Sequence, residues 1–275
     1  MAERRDGKRH KDACDQGDNS HIHIYDNVPM PRVVPVIALR LAATVMLLRP
    51  NASFGVQVYL LRRNARSAFA PDAFVFPGGT LDDCDLEPEA IAQTLGVDTR
   101  VNTELSRAAI RELFEEAGIL LACDKVGARA VASETDRARV NSGELTFNHL
   151  LMQRGWRADA RGLVLFSHWI TPPSEPRRYD TYFFIASAPR GQTAFADALE
   201  THDGIWITPQ EALMRARDGS LHIVYPTIKH LERLIEFARV EDAIAFARGK
   251  PILTIMPDDT PQNGFTMPTE LENAW

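Results

Sequence analysis

Residues 111–119 read RELFEEAGI, and upstream of them residues 76–85 read FPGGTLDDCD. The first stretch ends a run, Thr103 to Ala117, that has a helical pattern and a stop signal in Gly118. Turned at about 100° per residue, Ala109, Ile110, Leu113, Phe114 and Ala117 share one apolar arc, so this helix packs against a core. Glu112, Glu115 and Glu116 fall within a neighbouring arc of about 100°, at the edge of the surface to be buried. Carboxylates crowded there repel one another unless a cation neutralises them, and hard oxygen donors suit Mg²⁺ or Mn²⁺ better than zinc. The plainer alternative is a solvated face, since glutamate favours helices. In FPGG, Pro77 fixes one dihedral and Gly78 and Gly79 open conformations closed to other residues, which predicts a loop built for close backbone approach.

Around this pair the chain alternates strands and helices. Val36–Leu48 and Val56–Arg63 are apolar, partly β-branched runs separated by the turn residues Pro50, Asn51 and Gly55, and read as neighbouring strands. Leu86–Leu95 has the pattern of a short helix, Ile119–Ala122 that of a strand leaving the acidic helix, and 130–160 reads as helical and polar with a turn at 141–143. Further strands are expected at Leu163–Ile170, Tyr182–Ala186 and Gly204–Ile207, with helices at Pro209–Arg217 and Thr227–Phe237. That order is an α/β or α+β sandwich.

Composition narrows the class. The chain has 275 residues, 45% hydrophobic and 25% charged, enough for one sizeable core. A net charge of -6 argues against a general nucleic-acid binder, whose phosphate-tracking surface is usually basic. Cys14, Cys84 and Cys123 form no CxxC pair, so neither a disulfide framework nor a structural zinc site is expected. No apolar run reaches the roughly 18 residues of a membrane span, and the first residues lack a signal-peptide core. The expected organisation is a disordered tail over 1–30, a folded domain over 31–256 and a C-terminal extension over 257–275. A terminus reading Glu272-Asn273-Ala274-Trp275 is not of the SKL type, so the expected location is cytoplasmic rather than peroxisomal.

The two opening stretches together resemble the Nudix box, G-x5-E-x7-R-E-U-x-E-E-x-G-U with U aliphatic. Arg111, Glu112, Leu113, Glu115, Glu116, Gly118 and Ile119 match its second half, Gly79 its first position, and Asp85 stands where the pattern has Glu. Glu112 lies 33 positions after Gly79, against 15 in an uninterrupted box, an excess of 18 residues. Such a split box is similar to that of the coenzyme A diphosphatases of the nudix motif nineteen type. Other segments resemble the same branch: LLRRNARSAFAPDAFVFPGG, HWITPPSEPRRYDTYFFIA, ETHDGIWITPQEAL and YPTIKHLERL.

The resemblance implies a Nudix α/β/α sandwich with a mixed sheet and an insertion within the box. It implies a hydrolase that acts on the diphosphate of coenzyme A or an acyl-coenzyme A, with other nucleoside diphosphate derivatives, or a binding-only Nudix module, as alternatives. Glu112, Glu115 and Glu116 would hold Mg²⁺ or Mn²⁺, with the Gly78 carbonyl as a further ligand. Arg111 would brace the helix against Asp85, provided the insertion loops out between them; otherwise Asp85 is a turn residue. Glu200 is the candidate general base, or else a surface carboxylate. Arg62, Arg63 and Arg66 are candidate phosphate contacts, or ordinary charges ending a strand. Trp169 and Trp206 read as core or rim packing before base stacking. The partner implied is a small nucleotide diphosphate, with neither nucleic acid nor membrane; oligomeric state is not legible.

Overall fold

The computed structural model describes residues 38–53, 55–65, 70–197, 201–260, 264–272 and 274–275. Strands β1 (Arg40–Pro50) and β2 (Val56–Arg63) run antiparallel, with Leu48 opposite Val58. Their connection closes through an Asn51 N–H to Gly55 carbonyl bond of 3.0 Å, with Gly55 in the left-handed region at φ 81°. Strand β3 (Phe74–Val75) adds to β2, and β4 (Gly78–Thr80) pairs antiparallel with the first half of β1. A single 3-10 turn over Asp83–Leu86 and α1 (Pro88–Ala92) follow, where one short helix over 86–95 is expected.

Helix α2 (Thr103–Ala117) has the predicted bounds and ends on Gly118 at φ 70°, whose N–H bonds to the Phe114 carbonyl at 2.9 Å. Strand β5 (Ala122–Cys123) pairs with β6 (Arg157–Ala158), on either side of α3 (Glu134–Asn141) and α4 (Phe147–Arg154). The expected strand Ile119–Ala122 is mostly absent because a side chain substitutes for a neighbouring strand. Leu120 N–H donates to Gln192 Oε1 at 2.7 Å, and Gln192 Nε2 donates back to the Leu120 carbonyl at 2.9 Å. Nor is α4 polar throughout, since Phe147, Leu150 and Leu151 are buried.

Strands β7 (Leu163–Ile170), β8 (Tyr179–Ser187) and β9 (Thr201–Ile207) lead to α5 (Pro209–Arg217), α6 (Tyr225–Leu234) and α7 (Val240–Gly249). The chain then forms β10 (Thr254–Ile255) and a hairpin of β11 (Asp258–Thr260) with β12 (Gly264–Thr266). Among the described residues the principal sheet runs β10-β7-β8-β1-β2-β3, with β4 beside β1 and β9 beside β2. The β1–β8 and β10–β7 pairs are parallel and the other pairs antiparallel, so the sheet is mixed.

Strand β1 is buried on both faces and divides the core. Ala43, Val45 and Leu47 pack with α2, while Met46 and Leu48 pack on the face covered by α5, α6 and α7. Residues of the C-terminal extension contribute to this second layer. Met267 and Trp275 are buried in it, and Trp275 stands edge-on to Trp169 and to His230 at 5.4 and 5.1 Å. Within the same layer His230 accepts from Ser167 at 2.6 Å and donates Nδ1–H to the Pro226 carbonyl, while burial drives its pKa down to about 3. It is a neutral core residue. No helix among the described residues is long and apolar enough to cross a membrane.

Trp275 is 3% exposed. Trp275→Ala is expected to lower unfolding free energy by about 3 kcal/mol, as loss of a large buried aromatic does. Urea titration checks this, and a loss under ~0.5 kcal/mol would make the C-terminal residues an appendage.

Candidate active site

The FPGG segment is carried under α2 by its pairing with β1: Gly78 lies opposite Thr44, Gly79 opposite Ala43 and Thr80 opposite Ala42. Neither glycine adopts a positive φ. What they supply is space: a Cβ on Gly79 would fall on the Glu112 carboxylate, and one on Gly78 would come within 2.5 Å of the Ala43 carbonyl. The conformational freedom expected of the pair is therefore not what the site uses. Gly78 reaches the acidic helix through its amide, whose N–H donates to Glu116 Oε2 at 2.7 Å.

Arg111 gathers the rest. Its Nη2 meets Asp85 Oδ2 at 2.7 Å and the Thr80 carbonyl at 3.0 Å, and its Nε reaches both Asp85 oxygens at 3.2 Å. Nη1 donates to Glu112 Oε1 at 2.8 Å and to Glu115 Oε2 at 3.1 Å. Asp85 itself is held in the 3-10 turn, where its carboxylate accepts from the Asp82 N–H at 3.0 Å. The insertion thus loops out between Asp85 and Arg111, and a second arginine fastens it. Buried Arg107 donates to the Ala90 carbonyl and Thr94 Oγ1, both at 2.8 Å, and to Asn148 on α4. Asn148 in turn donates to the Cys84 carbonyl at 2.6 Å and to Glu87 at 2.8 Å.

The three glutamates do not turn to a common point in this arrangement. Glu112 and Glu115 share Arg111, Glu116 faces the Gly78 amide, and no group of three metal-ligating side chains stands together among the described residues. Their electrostatics nevertheless favour a cation. Burial, with Arg111 opposing it and Glu115 adding to it, raises the Glu112 carboxyl to about 7. One guanidinium leaves part of the negative charge uncompensated. The all-oxygen donor set therefore fits a hard divalent ion in chemistry. Arg111 is driven well above its ordinary value: burial lowers it, but the bond to Asp85 and the charges of Glu112, Asp85 and Glu115 outweigh that.

Glu112 and Glu116 line a cavity of about 840 Å³ between the sheet and the start of α6. Of the candidate phosphate contacts, Arg63 lines it; Arg62 instead lies 3.3 Å from Asp72 and 3.7 Å from Asp203. Arg66 and Glu200 lie outside the described residues. Trp169 is buried, yet its edge reaches the cavity, and Trp206 packs on Tyr59 under the Arg49 guanidinium, away from it. Arg40, Arg177, Tyr225 and Phe265 also line the cavity and are absent from the sequence-level site. Arg40, a charge inside the apolar run VIALRLAA, and Arg177, in the charged run RRYD before a strand, carry local signals that could single them out.

A family model described as the NUDT19 Nudix domain matches residues 92–234, just over half of the chain. The chain belongs to that family. The match takes in α2 with all three glutamates, while the glycine half of the split box lies upstream of it. Relatives include nudix hydrolase 7 of Caenorhabditis elegans, 29% identical over 178 residues, which are 65% of this chain and 55% of that one. The acyl-coenzyme A diphosphatase NUDT19 of Xenopus laevis is 26% identical over 243 residues, 71% of this chain and 64% of that one. This Nudix chain therefore spans less than two thirds of these relatives' length. Among solved structures, a Nudix hydrolase from Alicyclobacillus acidocaldarius superposes with a TM-score of 0.70 at 27% identity, over 76% of this chain and 97% of that one. The expected Nudix fold is thereby borne out.

Asp85→Ala leaves a buried guanidinium without its main counter-charge, and is expected to cost about 3 kcal/mol of stability. Denaturant titration checks it; a change below ~1 kcal/mol would mean that Glu112 and Glu115 suffice to hold Arg111.

Proposed function

We propose that the chain is a divalent-metal-dependent hydrolase of the diphosphate bond in coenzyme A and its acyl esters, releasing 3',5'-ADP and (acyl-)phosphopantetheine. The observation that carries this reading is the row of Glu112 and Glu116 on the wall of a large cavity, in a chain of this Nudix family. Names of relatives such as acyl-coenzyme A diphosphatase NUDT19 support the substrate class.

Glu112, Glu115 and Glu116 would hold Mg²⁺ or Mn²⁺. When bound, such an ion supplies Lewis-acid charge to phosphoryl oxygens and lowers the pKa of an attacking water. The protein's own part is to bind and orient. Arg111 holds Glu112 and Glu115 through its Nη1, and the Gly78 amide holds Glu116 Oε2. Arg63 lines the same cavity and would meet substrate phosphate. Glu200 remains the candidate general base on sequence grounds. Such a site works chiefly by positioning and electrostatics.

Mass spectrometry of products from coenzyme A, acyl-coenzyme A, NADH and ADP-ribose tests the reading. Coenzyme A should yield 3',5'-ADP only with Mg²⁺ or Mn²⁺ present. Glu116→Gln keeps an acceptor for the Gly78 amide but removes the charge, and should lower kcat by about 100-fold or more. Turnover of NADH or ADP-ribose in preference to coenzyme A would overturn the substrate assignment, and unchanged turnover in Glu116→Gln the site assignment.

A pH dependence follows from Glu112. Its folded pKa, about 7, lies above the ordinary value of 4.5, so the stability it contributes is full below about 4.5 and is lost as pH rises through 7. Glu112 would take a divalent ion in place of the missing proton. Mg²⁺ should accordingly raise Tm more at pH 8 than at pH 5.5; equal shifts at both would show that the ion does not meet this carboxyl.

A further inference from the structure

The cavity has two chemically distinct ends. From Thr80 on β4 it crosses β1 at Ala42 and β8 at Thr181 and reaches β7 at Trp169, four residues aligned in the strand register. At about 4.8 Å per strand, three steps put the far end roughly 14 Å from the carboxylates. That end is walled by aromatic rings and prolines. Tyr225 stands 6.3 Å from Trp169 and 6.2 Å from Phe265, Phe183 lies 6.4 Å from Trp169, and Pro226 and Pro257 complete the wall.

Phe265 is anchored in place although it comes from the end of the chain. It sits on β12 two residues before buried Met267, and the following segment is pinned by Trp275 in the core and by a Lys229 to Glu272 ion pair of 2.9 Å. The hairpin's ring is therefore a fixed part of the cavity.

Resting on the function proposed above, the geometry points to this end as the subsite for the apolar arm of the substrate, the acyl chain of an acyl-coenzyme A, with Tyr225 and Phe265 setting how much chain is accepted. A purine fits it less well. The rings meet at 44° to 69° instead of forming a parallel slot, and the Trp169 indole N–H is already donated to Ser167 at 3.1 Å. An aliphatic chain needs apolar wall, which Trp169, Phe183, Tyr225, Phe265, Pro226 and Pro257 provide beside the charged Glu175 and Arg177.

The test compares octanoyl-coenzyme A with coenzyme A on the full chain, wild type against Tyr225→Ala and Phe265→Ala. The ratio of kcat/KM for the ester to kcat/KM for coenzyme A should fall roughly tenfold in each variant, about what two buried methylene groups contribute. Tyr225→Phe should keep the wild-type ratio. If an alanine variant does not fold, Phe265→Trp replaces it and should shorten the longest acyl chain that is hydrolysed. Kinetic constants that drop by one factor for both substrates would place the base at this end and overturn the inference, as would a ratio that none of the variants changes. Failure of the wild-type chain to hydrolyse either compound would instead overturn the function on which the inference rests.

Discussion

One buried guanidinium organises the site. Arg111 is 6% exposed, and its five donors are distributed over Asp85, the Thr80 carbonyl, Glu112 and Glu115. Taking a cation out of water is costly, and only a full set of charged partners offsets that cost. The same contacts that satisfy Arg111 bring three separate pieces of chain together: the glycine strand, the turn carrying Asp85, and the acidic face of α2. Without it, Glu112 and Glu115 would repel each other across one helical turn.

An insertion of 18 residues inside so tightly drawn a network is tolerated because it leaves and returns on the far side of Asp85. Closing a longer loop adds little entropy cost. Most of the ordering comes from Arg107, which crosses from α2 to α1 and Asn148, while Asn148 holds the backbone at Cys84 beside Asp85. The insertion is thus bound to α2 and α4, and no residue of it from 86 to 102 lines the cavity. The cavity is lined instead by the sheet, the start of α6 and the β11–β12 hairpin.

Local chemistry made much of this legible in the sequence. The turn residues around 50–55, the Gly118 cap and the β-branched runs gave β2, α2, β7 and α5 their observed bounds. Contacts between distant segments were not legible. Gln192 standing in for a strand beside Leu120, Trp275 filling the second core layer and Phe265 closing the cavity all depend on partners dozens of residues away. For the site, spacing on one helix placed Glu112 and Glu116 on the cavity, but it could not show Glu112 and Glu115 sharing a guanidinium. Nor could it show that the glycines serve by lacking a Cβ rather than by an unusual φ.

Under the proposed function the acidic face of α2 would hold a divalent cation, with Arg111 keeping Glu112 and Glu115 in place. Titrating Mn²⁺ into the protein while following the free-ion signal by electron paramagnetic resonance tests it without reference to any substrate. Saturable binding by the wild-type chain is expected, weakened roughly tenfold or more in Glu112→Gln and in Glu116→Gln. Binding that is equally tight in both variants would contradict it.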